Sequence, residues 1–226
     1  PDEPWRIVRT RWRISGAVPG AVEGGGRVSG YFTGATGTTI YRGDAYGPSF
    51  KNNSFTGDAG GQLIHRKVIS PAADGVSLSG ERPADEHGFE FAASRDTWVR
   101  VVNFANAPDG CLHVCDMYRE VIEHPWSIPD EIKKHLDLNN GNDRGRIYRL
   151  VPDDKDWVRR PSVDLSKATT AQLVALLSHS DGWHRDTATR LLYERRDPAA
   201  QMRRQLVGMD EALHRVGLNS PRAQRH

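Results

Sequence analysis

Residues 102–126, VNFANAPDGCLHVCDMYREVIEHPW, decide how this chain is read. Pro108-Asp109-Gly110 is a turn: Pro fixes φ, Asp bonds backbone amides, and Gly takes φ > 0. The apolar and β-branched runs on either side, Trp98–Phe104 and Cys111–Asp116, read as the two strands of a hairpin. The stretch that follows holds Arg119, Glu123 and His124 within six positions, more ionisable chemistry than a generic hairpin needs.

Working outward, short strand signals recur at near-regular spacing. Trp5–Ile14 (WRIVRTRWRI) alternates apolar and basic residues and is expected to be a strand. Thr38–Arg42, Ser54–Gly57, Leu63–Ile69, Val76–Leu78, Phe89–Ala93 and Arg144–Leu150 complete the set. They are separated by turn residues, and the Gly-rich stretch Gly24–Gly37 reads as turns because no strand–GxGxxG–helix context surrounds it. A Pro-Asp-Gly turn followed by a strand ending in Asp is an inner-blade pattern of β-propellers, which favours a propeller over a sandwich. Ser127–Leu136 is a short helix, with Asp130 and Glu131 at its start and Lys133, Lys134 and His135 at its end, matching the helix dipole.

After Pro161 the period changes from 2 to 3.6. Ala171–Leu177, Trp183–Arg195 and Ala200–Val216 each carry an apolar helical stripe. The expected organisation is therefore a mainly β chain with an α-helical C-terminus. Residues 1–151 form the C-terminal part of a β-propeller, 152–163 a linker, and 164–226 a truncated HEAT-like helical repeat. The chain begins at Pro1 without Met and reads as a segment of a longer protein.

Composition narrows the function. The net charge is only +2, so phosphate neutralisation is not the basis of binding, and no nucleic-acid partner is expected. The arginines at 203, 204, 215, 222 and 225 form either a basic patch or a solvated tail. No run of about 18 apolar residues exists, so no membrane span is expected in this segment. Serine-hydrolase, P-loop, zincin and haem-attachment motifs are all missing from the sequence. The two cysteines, Cys111 and Cys115, lie on one strand about 13 Å apart at ~3.3 Å per residue. They are expected to be reduced and unpaired, and no metal site is evident around them.

Four stretches together resemble one known family: YFTGATG with TIYRGDAYG (31–47), GDAGGQLIHR (57–66), the 102–126 block, and NDRGRIYRL (142–150). SDGWHRDTATRLLYERRD (180–197) resembles the first helical repeat that follows. The family is the planctomycete-type membrane-bound dehydrogenases, glucose/sorbosone dehydrogenase-like quinoproteins that often carry a c-type haem domain. The resemblance implies a quinone-dependent (PQQ) dehydrogenase that moves hydride from a sugar or alcohol and passes electrons to a c-type cytochrome. It also implies a periplasmic, secreted or membrane-associated parent, with haem c only in a domain absent from this chain. The hydride-abstracting histidine comes from an earlier blade, so this segment would hold part of the cofactor-facing wall.

Within that pattern Arg100 matches an arginine aimed at the quinone carboxylates, since guanidinium binds carboxylate in bidentate fashion. The second arginine of the pattern falls at Val102 and its acid at Asn103. Arg119 is the other candidate cofactor contact, and His124 the candidate base, oriented by Glu123. The competing readings are an Arg100 ion pair with Asp96 or Asp116, and a salt-bridged knot of Arg119, Glu123 and His124 that anchors the short helix. His65 points either to the channel or to a structural hydrogen bond. Asp44 and Asp58, beside glycines, are either Ca²⁺ ligands or turn residues. The alternative to the enzyme is a non-catalytic scaffold binding glycan or protein.

Overall fold

The computed structural model describes residues 3–22 and 32–196. The hairpin read from 102–126 is present. Strands β6 (Val101–Asn106) and β7 (Leu112–Asp116) pair antiparallel around the Pro108–Gly110 turn. Gly110 has φ +81°, a value few residues other than Gly adopt. Asp109 Oδ1 accepts the Cys111 amide at 3.1 Å. Strand β8 (Arg146–Leu150) pairs with β7 and completes a three-stranded sheet ordered β6-β7-β8.

The other sheet is built from β1 (Ala35–Ile40), β2 (Ser54–Asp58), β3 (Leu63–Pro71) and β4 (Leu78–Glu81), in that order. The two-residue β5 (Ala92–Ala93) pairs with the start of β3, on the edge where β4 pairs with its end. Phe89–Ala93 shrinks to this bridge because Phe91 is drawn into the core, where its ring meets Phe55 at 5.0 Å. Sheet to sheet, β1 lies beside β6 without a backbone ladder. Thr36 Oγ1 donates to Val101 O (2.7 Å), Asn106 Nδ2 donates to Ile40 O (3.0 Å), and Asn106 Oδ1 accepts the Arg42 amide (2.9 Å).

These sheets correct the expected fold class. Five and three antiparallel strands form two small sheets; no repeated four-stranded blades and no closed barrel or propeller occur among the described residues. The physical reason is the core. One cluster, Tyr41, Phe55, Ile64, Val101, Phe104, Leu112 and Val114, draws on both sheets at once, so the strands share one interior rather than stacking as separate blades. Tyr41 and Tyr46 stack at 4.5 Å within it. Their hydroxyls donate to Gly110 O and Leu150 O, fastening the hairpin turn and β8 to the loop after β1.

A second correction concerns Trp5–Ile14. It is not a strand but helix α1 (Pro4–Ile14), with Pro4 in its first turn and Arg11 and Arg13 in its last. Trp5, Val8 and Trp12 are helically spaced, and Trp5 and Trp12 pack on the buried cluster Val121, Ile128 and Ile132. Ile132 belongs to α2 (Asp130–Lys133), a shorter helix than Ser127–Leu136, preceded by a 3₁₀ turn over Pro125–Ser127.

The helical C-terminal part is short and does not establish a HEAT repeat. Helix α3 (Thr170–Ala175) opens with a capping box between Thr169 and Gln172. Helix α4 (Gly182–Arg195) is capped by Asp181 and closed by Arg196 in the left-handed conformation. Leu173, Ala188 and Leu192 join them. The expected helix over Ala200–Val216 lies outside the described residues.

Both cysteines are free, Cys111 buried and Cys115 half-buried. Burial pushes the Cys111 thiol up to about 11, with Asp109 adding to the rise. Two thiols per chain are therefore expected in denaturant without reductant. In the native protein a thiol reagent should modify Cys115 first, reaching Cys111 only on unfolding. Equal native rates would contradict the buried position of Cys111.

Candidate functional site

Arg100 lies just before β6 and is wholly buried. Its backbone amide donates to Asp116 Oδ1 at 2.7 Å, which ties the start of β6 to the end of β7. Its guanidinium donates through Nε to Arg119 O (2.9 Å) and through Nη1 to Ala59 O (3.1 Å). Nη2 donates to Glu120 O (2.7 Å) and to Glu3 Oε1 (2.6 Å). Glu3 in turn pairs with Arg6 at 2.7 Å. The acceptors come from the residue capping α1, the loop after β2 and the loop after β7. One guanidinium thus gathers three separate segments.

Glu123 extends this network. Its carboxylate takes Arg6 Nη2 (2.8 Å) and Arg9 Nη1 (3.5 Å) from α1, and the Ser127 hydroxyl at 3.4 Å. His124 is exposed, and its Nδ1 accepts the Trp126 amide at 3.2 Å, capping the 3₁₀ turn. Arg119 contributes its backbone carbonyl to Arg100 and its amide to Trp98 O. Arg100 and Arg119 are thus brought together, but through a backbone carbonyl in the interior. His124 lies on the surface and does not share a concave opening with the buried Arg100.

Arg100 does not fit a tricarboxylate quinone, whereas the Arg119 guanidinium keeps a buried Nη1 without a hydrogen-bond partner. A cofactor carboxylate needs guanidinium N–H groups facing solvent or a cavity, and four of the five of Arg100 are spent on internal acceptors. The Ca²⁺ candidates are likewise engaged by donors. The Asp58 carboxylate accepts the amides of Thr33 (3.0 Å), Gly34 (2.9 Å), Gly60 (2.9 Å) and Gly61 (3.1 Å). Asp44 takes Arg160 Nη1 at 2.7 Å and the Ser180 hydroxyl. Burial raises the Asp44 pKa, but these two bonds outweigh it and hold the carboxyl below its ordinary value. Among the described residues, no group of three or more His, Cys, Asp or Glu side chains is arranged to hold a metal.

His65 is buried, with Nδ1 2.7 Å from Glu90 Oε2, while Arg82 holds the other Glu90 oxygen at 2.7 Å. Burial raises the Glu90 pKa, yet Arg82 and His65 bring it below the usual range. Phe32 packs edge-on against the His65 ring at 5.6 Å. This is the structural hydrogen bond of the two readings given for His65.

An open concavity lies elsewhere. Trp5, Val8 and Trp12 of α1, with Ile132 and Leu136 beyond it, line an open groove of about 530 Å³. Glu131, Lys134 and His135 form its polar lining, and Lys134 is already paired with Glu131. The guanidiniums of Arg6 and Arg9 lie over the Trp5 ring at 5.5 and 5.1 Å. A strand reading of residues 5–14 hides this groove, because it sends Trp5 and Trp12 to opposite faces. The helical spacing 5, 8, 12 was the signal that reveals it.

In class, this is a chain of two small antiparallel sheets sharing one core, flanked by helices, with an aromatic groove at its N-terminal helix. It belongs to the family described as Domain of unknown function (DUF7133), which matches residues 3–154. That match runs from the cap of α1 through β8 and ends before α3. No curated protein and no solved structure matches the chain. No helix among the described residues is long and apolar enough to cross a membrane.

Proposed function

We propose that this chain is a non-catalytic docking module, carried by a parent of the quinone-dehydrogenase type that its sequence resembles, and that it binds a protein segment in the α1 groove. The observation that carries this reading is that the buried Arg100 guanidinium spends four of its five N–H groups on internal acceptors. The group best matched to a cofactor holds the fold together instead, so the surface left for recognition is the groove. Its apolar lining of Trp5, Val8, Trp12, Ile132 and Leu136 suits the apolar face of a partner helix, with the half-buried Trp5 and Trp12 as the aromatic part of that lining. A saccharide would need several free polar side chains for its hydroxyls; Glu131 and Lys134 are occupied with each other, which leaves His135 as the polar group of the lining.

The test is photo-crosslinking in the intact protein from a benzophenone side chain at position 8. It should capture a defined polypeptide, and Trp12→Ala should cut the yield about tenfold. The same probe at Val76, exposed on the β3–β4 turn, should capture nothing above background. Equal capture from both positions would overturn the proposal. So would saturable binding of a saccharide abolished by Trp12→Ala, or of pyrroloquinoline quinone with Ca²⁺ abolished by Arg100→Lys.

A further inference from the structure

The helical pair meets the sheets at a cluster that the docking reading does not use. Gly182 N donates to Arg42 O at 2.8 Å, and a Cβ on Gly182 would lie 2.8 Å from the Arg42 Cβ, so α4 starts in close contact with the loop after β1. Ser180 and Arg160 both reach Asp44 in that loop. His184 Nε2 lies 3.0 Å from Pro108 O in the β6–β7 turn. Two imidazoles sit at the centre, His179 and His184, with ring centroids 4.1 Å apart and planes 33° from parallel.

From this geometry we infer that His179 and His184 form a pH-sensitive latch, and that acid releases α3 and α4 from the sheets. His179 Nδ1 accepts the Asp181 amide at 3.0 Å, so that nitrogen must carry a lone pair. Protonating it sets N–H against N–H. The bond from His184 to the Pro108 carbonyl requires a proton on Nε2, which leaves the lone pair on Nδ1. That Nδ1 is buried and has no hydrogen-bond partner. A proton there creates a buried cation with an unsatisfied donor, and two stacked imidazoliums repel.

The surrounding charges nearly cancel. Arg160 faces Asp44, Arg42 pairs with Asp186, and Arg149 pairs with Asp109 beside Cys111. Arg185 donates to the carbonyls of His179 and Ser180. Asp181 is the one carboxylate without a cationic side chain of its own. Its Oδ1 caps α4, and its Oδ2, buried without a hydrogen-bond partner, lies 3.8 Å from His184 Nε2 and attracts an imidazolium there, which opposes release. Against that one attraction stand the hydrogen bonds of both rings, and these set the direction. A proton on His179 costs the docked state the bond from the Asp181 amide, and one on His184 leaves a buried donor unsatisfied. Neither costs the released state anything, so docking weakens as pH falls through the range in which imidazole takes up a proton. Asp181 runs the other way. Burial raises its pKa, so its own contribution to docking is present in acid and is lost as pH rises through that raised value.

Hydrogen exchange tests the latch, because helices this short keep little protection once undocked. After correction for intrinsic rates, protection of residues 182–195 should fall about tenfold or more from pH 7.5 to 5.5, while residues 54–66 stay unchanged. In the double variant His179→Asn, His184→Gln, the amide side chains keep the acceptor and the donor without titrating, and the fall should shrink to under about twofold. Unchanged wild-type protection, or an equal fall in the double variant, overturns the latch. Should the double variant be undocked at pH 7.5, the wild-type imidazole C–H resonances decide. Protonation that tracks the loss of protection supports the latch, and full protonation with protection retained overturns it.

Discussion

Arg100→Ala is expected to destabilise the protein by about 3–5 kcal/mol, the usual loss when one partner of a buried charged network is removed. The substitution strips hydrogen bonds from the carbonyls of Ala59, Arg119 and Glu120 and takes one cationic partner from the Glu3 carboxylate, 5% exposed, which keeps Arg6. It also opens a cavity the size of an arginine side chain. Denaturant unfolding followed by circular dichroism measures the loss. A double-mutant cycle with Glu3→Ala should show coupling of about 1 kcal/mol or more, as expected for groups in one network. A variant within about 0.5 kcal/mol of wild type would mean that the guanidinium is not the tie its bonds describe, and the argument against a cofactor role would fall with it.

Asp58→Ala is the second large effect, at about 2–4 kcal/mol. The carboxylate gathers amides from both sides: Thr33 and Gly34 ahead of β1, Gly60 and Gly61 after β2. Asp58 is 1% exposed, so these donors have little water to replace it, and each buried unsatisfied donor costs about 1–3 kcal/mol. Only part of that sum is expected, because the Gly60–Gly61 loop can relax toward solvent. Asp58→Asn should also destabilise, since its amide group turns a donor toward backbone N–H groups. A Ca²⁺ site makes the opposite forecast: chelator would lower the wild-type melting temperature and Ca²⁺ would restore it. The expected melting temperature is the same with and without chelator.

The hairpin at 102–116 was legible because its determinants are local: a Pro-Asp-Gly turn and two runs of strand formers. Residues 5–14 were misread because WRIVRTRWRI satisfies both periods. Trp5 and Ile7 alternate as in a strand, while Trp5, Val8 and Trp12 recur as in a helix. The choice is made by Val121, Ile128 and Ile132, more than a hundred positions away, which give the helical stripe something to pack on. The propeller expectation failed on the same scale. Strand spacing is local, whereas the sharing of one core by both sheets is tertiary. Arg100 was legible as unusual but not as buried, because Glu3, its charged partner, stands 97 residues earlier in the chain. His179 and His184 are not legible as a pair for a related reason. Their environment is made by Pro108, Arg42 and Asp44, none of them neighbours in sequence.

The side-by-side seam between β1 and β6 bears on the order in which the fold is assembled. Every strand of the larger sheet falls between residues 35 and 93, and every strand of the smaller one between 101 and 150. Neither sheet borrows a strand from the other, so each closes mostly through short loops, and the first can pair before the second has left the ribosome. The seam itself has no ladder to zip. It waits on Thr36, Asn106 and Arg42, and then on Arg100 and Glu3, which tie α1 to the start of the second sheet. Contacts that form after the folding barrier chiefly govern how fast the native state comes apart. In this chain the contacts made when the sheets join are the polar ones of the seam and the apolar core that both sheets share, so its lifetime against unfolding rests on both while its speed of formation rests on the hairpins.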